Sequence, residues 1–146
     1  MIAGQATVIL VGQGETVSDA DLGVGGTQYE ARLLAGRSFK LKGRDAFVDL
    51  QLAHRFRQSV FPEEWRFDVS AGVRPLPKWQ ILAQSFYVYG QAAPNLARAN
   101  YRMKAQTSLV YDRNHKTSYQ IGVYKTVFGK NIVQENAVFL SIWQRY

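Results

Sequence analysis

The sequence predicts an all-β, antiparallel up-and-down fold of about eight strands, and three observations carry that prediction. Apolar and polar residues alternate with period two along most of the chain, no stretch has the period of an amphipathic helix, and turn residues recur between the alternating runs. The clearest run is residues 65–74, where Trp65, Phe67, Val69, Ala71 and Val73 alternate with Arg66, Asp68, Ser70, Gly72 and Arg74. Pro75-Leu76-Pro77-Lys78 supplies turn chemistry. A second run then sets Ile81, Ala83, Tyr87 and Tyr89 against Gln80, Gln84 and Gly90, with Leu82, Ser85, Phe86 and Val88 weakening the contrast. A turn centred near Pro77 places Val73 opposite Ile81, Phe67 opposite Tyr87 and Trp65 opposite Tyr89.

The remaining elements follow in order. Residues 5–12 are apolar on both faces and stop at Gly12-Gln13-Gly14, before a polar connection through residue 26. From Thr27 onward, Tyr29, Ala31, Leu33, Ala35 and Phe39 share one face, and Gln28, Glu30, Arg32 and Gly36 the other. Lys42-Gly43 reads as a two-residue hairpin turn. Centred there, Leu41 pairs with Arg44, Phe39 with Ala46, Ala35 with Leu50, Leu33 with Leu52 and Tyr29 with Phe56. The same register sets Glu30 opposite Arg55, a favourable cross-strand charge pair.

A connection at residues 58–64 leads to the run that begins at Trp65, and another spans residues 91–100. Tyr101, Met103, Ala105, Thr107, Leu109 and Tyr111 then alternate with Arg102, Lys104, Gln106 and Ser108. A turn at Arg113-Asn114-His115 precedes Thr117, Tyr119, Ile121 and Val123, and the last connection is expected at residues 128–135. In the closing run Val138, Leu140, Ile142 and Tyr146 are assigned to one face, and Asn136, Phe139, Ser141 and Arg145 to the other.

A chain of 146 residues reads as a single domain, residues 1–146. No apolar run approaches the roughly 20 residues of a membrane helix, which excludes a helical membrane protein. Cysteine is absent, so there is no disulfide framework and no thiolate chemistry. The net charge of +7 points to an anionic partner such as nucleic acid, lipopolysaccharide phosphate or a small anion. No signal peptide precedes the first apolar run, so the chain is expected to be intracellular, or else a mature or shortened form.

Connection lengths alternate: short at residues 40–44, 75–78 and 112–116, longer at 13–26, 58–64, 91–99 and 128–135. In a meander this gives one rim of tight turns and one of loops, the asymmetry of outer-membrane barrels. With the tight turns on the periplasmic side, Tyr29, Phe56, Trp65, Tyr87, Tyr89 and Tyr101 gather at the outer rim. Phe39, Trp79, Tyr111, Tyr119 and Tyr146 gather at the inner one, so two aromatic girdles are expected. The predicted fold is then an antiparallel up-and-down transmembrane β-barrel. Its polar face, with Glu30, Arg32, Asp49, Arg55, Arg66, Asp68, Arg74, Arg102 and Lys104, lines a basic lumen. Alternation alone leaves a second possibility open, a soluble lipocalin-like β-barrel whose apolar face is its interior and binds a small apolar ligand.

Val138-x-Leu140-x-Ile142-x-x-x-Tyr146 resembles the C-terminal signal of Gram-negative outer-membrane β-barrels, although Gln144 interrupts it and Tyr stands for the usual Phe. Gly25-Gly26-Thr27-x-Tyr29-Glu30-x-Arg32, Gly72-Val73-Arg74-Pro75 and Leu82-Ala83-Gln84-Ser85-Phe86 are similar to segments of uncharacterised proteobacterial outer-membrane proteins. That group has longer members, so the chain is also similar to the C-terminal part of a larger barrel. The resemblance implies an outer-membrane location and a structural or passive-transport role. It also implies contact with membrane lipid and lipopolysaccharide, and recognition of the last strand by the outer-membrane assembly machinery.

Signals for catalysis are poor. His54 falls on the apolar face and His115 in a turn; neither has metal-ligand spacing or a Ser and acid beside it, so no catalytic residue, metal or cofactor is expected. The glycines of Gly12-Gln13-Gly14 and Gly23-Val24-Gly25-Gly26 precede no helix that could present a phosphate site. Lys and Arg are spread over all the strands rather than gathered beside exposed stacking aromatics, so nucleic acid is not an expected partner.

Overall fold

The computed structural model describes residues 1–10, 27–57, 63–90, 100–130, 132 and 134–145. Its strands are β1 (Ile2–Ile9), β2 (Gln28–Leu41), β3 (Arg44–Arg57), β4 (Glu64–Leu76), β5 (Trp79–Gly90), β6 (Asn100–Asp112), β7 (Thr117–Lys130) and β8 (Asn136–Gln144). They form one eight-stranded sheet in sequence order, every neighbouring pair antiparallel. No helix occurs among the described residues.

Local turn chemistry sets the register of both early hairpins. Lys42 (φ 49°) and Gly43 (φ 78°) both adopt positive φ, as a type I′ turn requires. The β2–β3 ladder therefore pairs Leu41 with Arg44, Phe39 with Ala46, Glu30 with Arg55 and Tyr29 with Phe56, the partners expected from the sequence. In β4–β5, Val73 meets Ile81, Phe67 meets Tyr87 and Trp65 meets Tyr89, again as expected. The turn itself is tighter, with Leu76 opposite Trp79 and a slip in the ladder between Val73 and Leu76. Pro75 has no N–H to give to the ladder and is well placed in such an irregularity.

Three boundaries differ from expectation. β1 spans Ile2–Ile9 rather than residues 5–12, of which 11 and 12 lie outside the described residues. A run apolar on both faces carries no phase, so pairing with β2 decides where it sits. β7 continues to Lys130, past the expected start of the last connection. Met103 pairs with Phe128 but Lys104 with Thr126, which leaves Val127 as an extra residue. This bulge breaks the alternation and hides the end of the strand from a period-two reading. Asn136, opposite Lys125, shares the face of Val138 and Leu140 rather than that of Phe139, because a regular strand keeps parity from Asn136 onward.

Burial sorts the faces in an unusual sense. The apolar face is exposed: Leu33 is 65%, Ile121 51% and Leu140 79% accessible. Glu30, Glu64, Ser108, Ser118, Gln120 and Thr126 on the opposite face are buried. Side chains of that face bond across alternate strands, as between Arg32 on β2 and Asp68 on β4 (3.1 Å) and between Arg74 on β4 and Asp112 on β6 (2.6 Å). The sheet is therefore concave on its polar side. Two glycines make room there for aromatic rings. A Cβ on Gly72 would stand 2.3 Å from the ring of its cross-strand partner Phe47, and one on Gly122 2.5 Å from that of Phe139. Gly72→Ala is expected to destabilise by about 1–3 kcal/mol through overpacking, read as a lower urea midpoint in micelles. Gly43→Ala should act through positive φ alone, because open space surrounds that position.

Candidate functional site

The concave face is organised in cross-strand rows. Near the ends of β2 to β4 away from the tight turns, Glu30, Arg55 and Glu64 form one row, with Arg32, Ala53, Arg66, Val88 and Arg102 in the next. Glu30 is the hub. Its Oε1 lies 2.8 Å from Arg32 Nη2, and its Oε2 lies 2.7 Å from Arg55 Nη2 and 3.9 Å from Arg66 Nη1. Arg32 also donates to Gln51 Oε1 (2.6 Å) and Asp68 Oδ2 (3.1 Å), and Gln51 donates to Asp49 Oδ1 (2.7 Å). Glu64 receives Arg57 (2.9 Å) and Arg66 (3.5 Å). Each acid at this end thus meets a cation or an amide, which shielded charge demands.

Of the residues predicted to line this face, Glu30, Arg32, Asp49, Arg55, Arg66 and Asp68 are therefore linked through one network. Arg74 stands apart toward the tight turns, where it meets Asp112, which also accepts from Ser118 Oγ (2.5 Å) and lies 3.7 Å from Arg145. Lys104 reaches Glu135 (2.7 Å), and that hydrogen bond holds the Glu135 carboxyl below its ordinary range. Arg102 makes no ion pair among the described residues. Arg57, Glu64 and Asp112 join this face beyond the predicted set, Glu64 and Asp112 from segments expected to be connections. Their parity was the available signal: Arg57 continues Arg55, Glu64 precedes Arg66, and Asp112 follows Val110 on one face.

Between the charged ends lies a belt that is uncharged apart from Asp49. Asp49, Ser70, Gln84, Gln106 and Tyr124 are partners in successive ladders, so they cross the sheet in one row. Gln106 Nε2 donates to Gln84 Oε1 (2.9 Å), Gln84 Nε2 to Ser70 Oγ (3.2 Å), and Gln120 Nε2 to Ser108 Oγ (2.7 Å). This belt borders an open cavity of about 950 Å³, lined from Gly36 and Ser38 on β2 round to Trp143 on β8, with Met1, Arg37 and Val48 also at its border.

On the convex face, the aromatic residues fall in rows at the two ends of the strands. Trp65 pairs with Tyr89 and Tyr89 with Tyr101, Tyr29 pairs with Phe56, and Tyr87 pairs with Phe67. Phe128 joins them, its ring 6.3 Å from that of Tyr101, a neighbour hidden from the sequence by the bulge. At the other end Trp79 pairs with Tyr111 (ring centroids 4.8 Å) and Tyr111 with Tyr119, with Phe39 farther along; Tyr146 lies outside the described residues. His54 sits between the rings of Phe56 (4.2 Å) and Trp65 (4.3 Å), with Nε2 3.4 Å from Glu63. Among the described residues no cluster of three or more His, Cys, Asp or Glu could hold a metal.

Comparison with family models, curated proteins and solved structures returns no match. The geometry of the two faces therefore carries the functional reading.

Removing the hub should cost more than removing one of its partners. Glu30→Gln is expected to destabilise by about 3–5 kcal/mol, because it strips the shared counter-charge from several guanidiniums. Arg55→Gln should cost about 1–3 kcal/mol, since Arg32 still binds Glu30. Urea unfolding of both variants in micelles checks the order; a costlier Arg55→Gln would show that Glu30 is not the centre of the network.

Proposed function

We propose that the chain is a transmembrane β-barrel of the Gram-negative outer membrane, with a structural or passive-transport role and no catalysis. The observation that carries this reading is the inverted burial. Large exposed apolar faces ask for an apolar partner, and here the face extends over the whole sheet. Lipid supplies such a partner without further specificity. Strands of 12 to 14 residues from β2 to β7 exceed the roughly 9–11 needed to span a bilayer. The aromatic rows at both strand ends suit the two interfaces, where amphipathic rings partition. A meander of eight strands runs β1 antiparallel to β8, so lateral closure between them, or through further strands, uses ordinary antiparallel pairing.

The soluble, lipocalin-like alternative asks for the opposite burial. It needs Leu33, Ile121 and Leu140 on the shielded face and Glu30 and Gln120 in water, against the observed exposures.

In this reading the concave face is the lumen. Arg32, Arg55, Arg57, Arg66, Arg74, Arg102, Lys104 and Arg145 there outnumber Glu30, Asp49, Glu64, Asp68 and Asp112, the excess expected from the sequence being kept because Arg57 and Arg145 join the cations as Glu64 and Asp112 join the acids. The lumen therefore carries a modest positive potential.

An unboiled sample in detergent should migrate differently on a gel from a boiled one, and the refolded chain should float with phospholipid vesicles. A monomer that stays in solution in plain buffer and ignores vesicles would overturn the membrane reading. In a planar bilayer under a salt gradient, any current should favour anions, and Arg66→Glu or Arg102→Glu should shift the reversal potential toward cations. Cation-selective currents from the unmodified chain would mean that this face does not line the path.

A further inference from the structure

We propose that the cavity on the concave face is a binding site for a neutral, hydroxyl-rich solute, that is, an oligosaccharide. The proposal deepens the passive-transport reading by naming the class of solute, while the binding step itself depends only on the cavity.

The chemistry of the lining selects this class. The charged groups near Glu30 and near Asp112 are largely occupied by one another, whereas the groups between them are mainly amides and hydroxyls, with Asp49 among them and Arg37 and the Met1 ammonium at the border of the cavity. A Gln side chain offers two N–H donors and a carbonyl with two lone pairs. Gln106 and Gln120 each spend one donor on a neighbour, and neither carbonyl oxygen accepts a side-chain hydrogen bond among the described residues. Their remaining groups border the cavity. A sugar hydroxyl both donates and accepts, so it matches an amide in either sense. A simple anion only accepts and would leave the Gln carbonyls unmet.

Asp49 extends the argument. Its Oδ1 takes the Gln51 amide, and no cation pairs with it among the described residues. A carboxylate in the lining accepts strongly from hydroxyls, and here it balances part of the positive charge of Arg37 and the Met1 ammonium, which border the same cavity. The apolar contribution comes from Phe47, Leu82 and Trp143, which border the same space. Planar rings beside hydrogen-bonding groups fit a pyranose, whose C–H faces are apolar and whose rim is polar. At about 950 Å³ the cavity lies within the range of small-molecule sites, roughly 300–1,000 Å³.

Trp143 provides a local reporter, because the other two tryptophans, Trp65 and Trp79, lie on the convex face and can be removed as Trp65→Phe and Trp79→Phe. The full chain with these two changes is titrated in amine-oxide micelles, which carry no sugar headgroup, or in plain buffer if it proves soluble. The probes are the neutral trisaccharides of glucose, galactose and N-acetylglucosamine, with sodium sulfate and octanoate for comparison. A saturable change in Trp143 emission is expected with at least one trisaccharide and with neither comparison ligand. Gln106→Leu should weaken it about tenfold, as for loss of a hydrogen bond to a bound ligand. Gln106→Asn, which keeps the amide, serves if the leucine variant misfolds and should weaken binding less. Asp49→Asn should also weaken it, whereas Lys125→Gln, on the convex face and outside the cavity lining, should not. Saturation by sulfate or octanoate but by no trisaccharide would overturn the proposal, as would silence toward all five probes. Vesicle flotation, read separately, reports on the membrane reading, so the two failures are distinguishable.

Discussion

A sheet that shields its polar face and exposes its apolar one must pair its interior charges side chain to side chain. Glu30 is where that constraint is tightest. Its carboxylate is almost wholly withdrawn from solvent and is met by Arg32, Arg55 and Arg66 from three strands. The cost of shielding such a charge without partners is several kcal/mol, so the relative placement of β2, β3 and β4 is tied to these contacts. The same rule recurs at the other end, where Arg74 and Ser118 converge on Asp112.

Curvature is what lets the rule be obeyed. Adjacent strands lie about 4.8 Å apart, so a concave face shortens the span that side chains two strands apart must bridge. Arg32 to Asp68 and Arg74 to Asp112 are contacts of this kind. Gly72 and Gly122 contribute by letting the Phe47 and Phe139 rings lie against the backbone, which fills the concave side without crowding it. The paired charges collect toward the two ends of the strands, and the row of Asp49, Ser70, Gln84 and Gln106 spans the part between.

The bulges show where a local pattern yields to the ladder. At Val127 an extra residue restores Phe128 to the convex face, beside Tyr101 and Tyr87. Near Pro75 the slip lets the hairpin close on Pro77-Lys78 while keeping the phase of Val73 and Ile81. Both irregularities preserve the segregation of the two faces, which is the property on which lipid exposure and lumen chemistry would depend.

Most of the strands, their two faces and the register of the β2–β3 and β4–β5 hairpins are legible in the order of residues. The physical reason is that period-two alternation and turn chemistry are local: Lys42-Gly43 needs only its own positive φ values to set Glu30 against Arg55. The phase of β1, the length of β7 and the place of Asn136 were decided by pairing with a neighbouring strand, because the local pattern there is apolar throughout or interrupted. Which face is shielded is an outcome of the sheet's curvature. Alternation defines two faces without saying which is concave, and curvature then brought Asp68 to Arg32, Asp112 to Arg74 and the glutamines to one cavity, across strands that no turn connects.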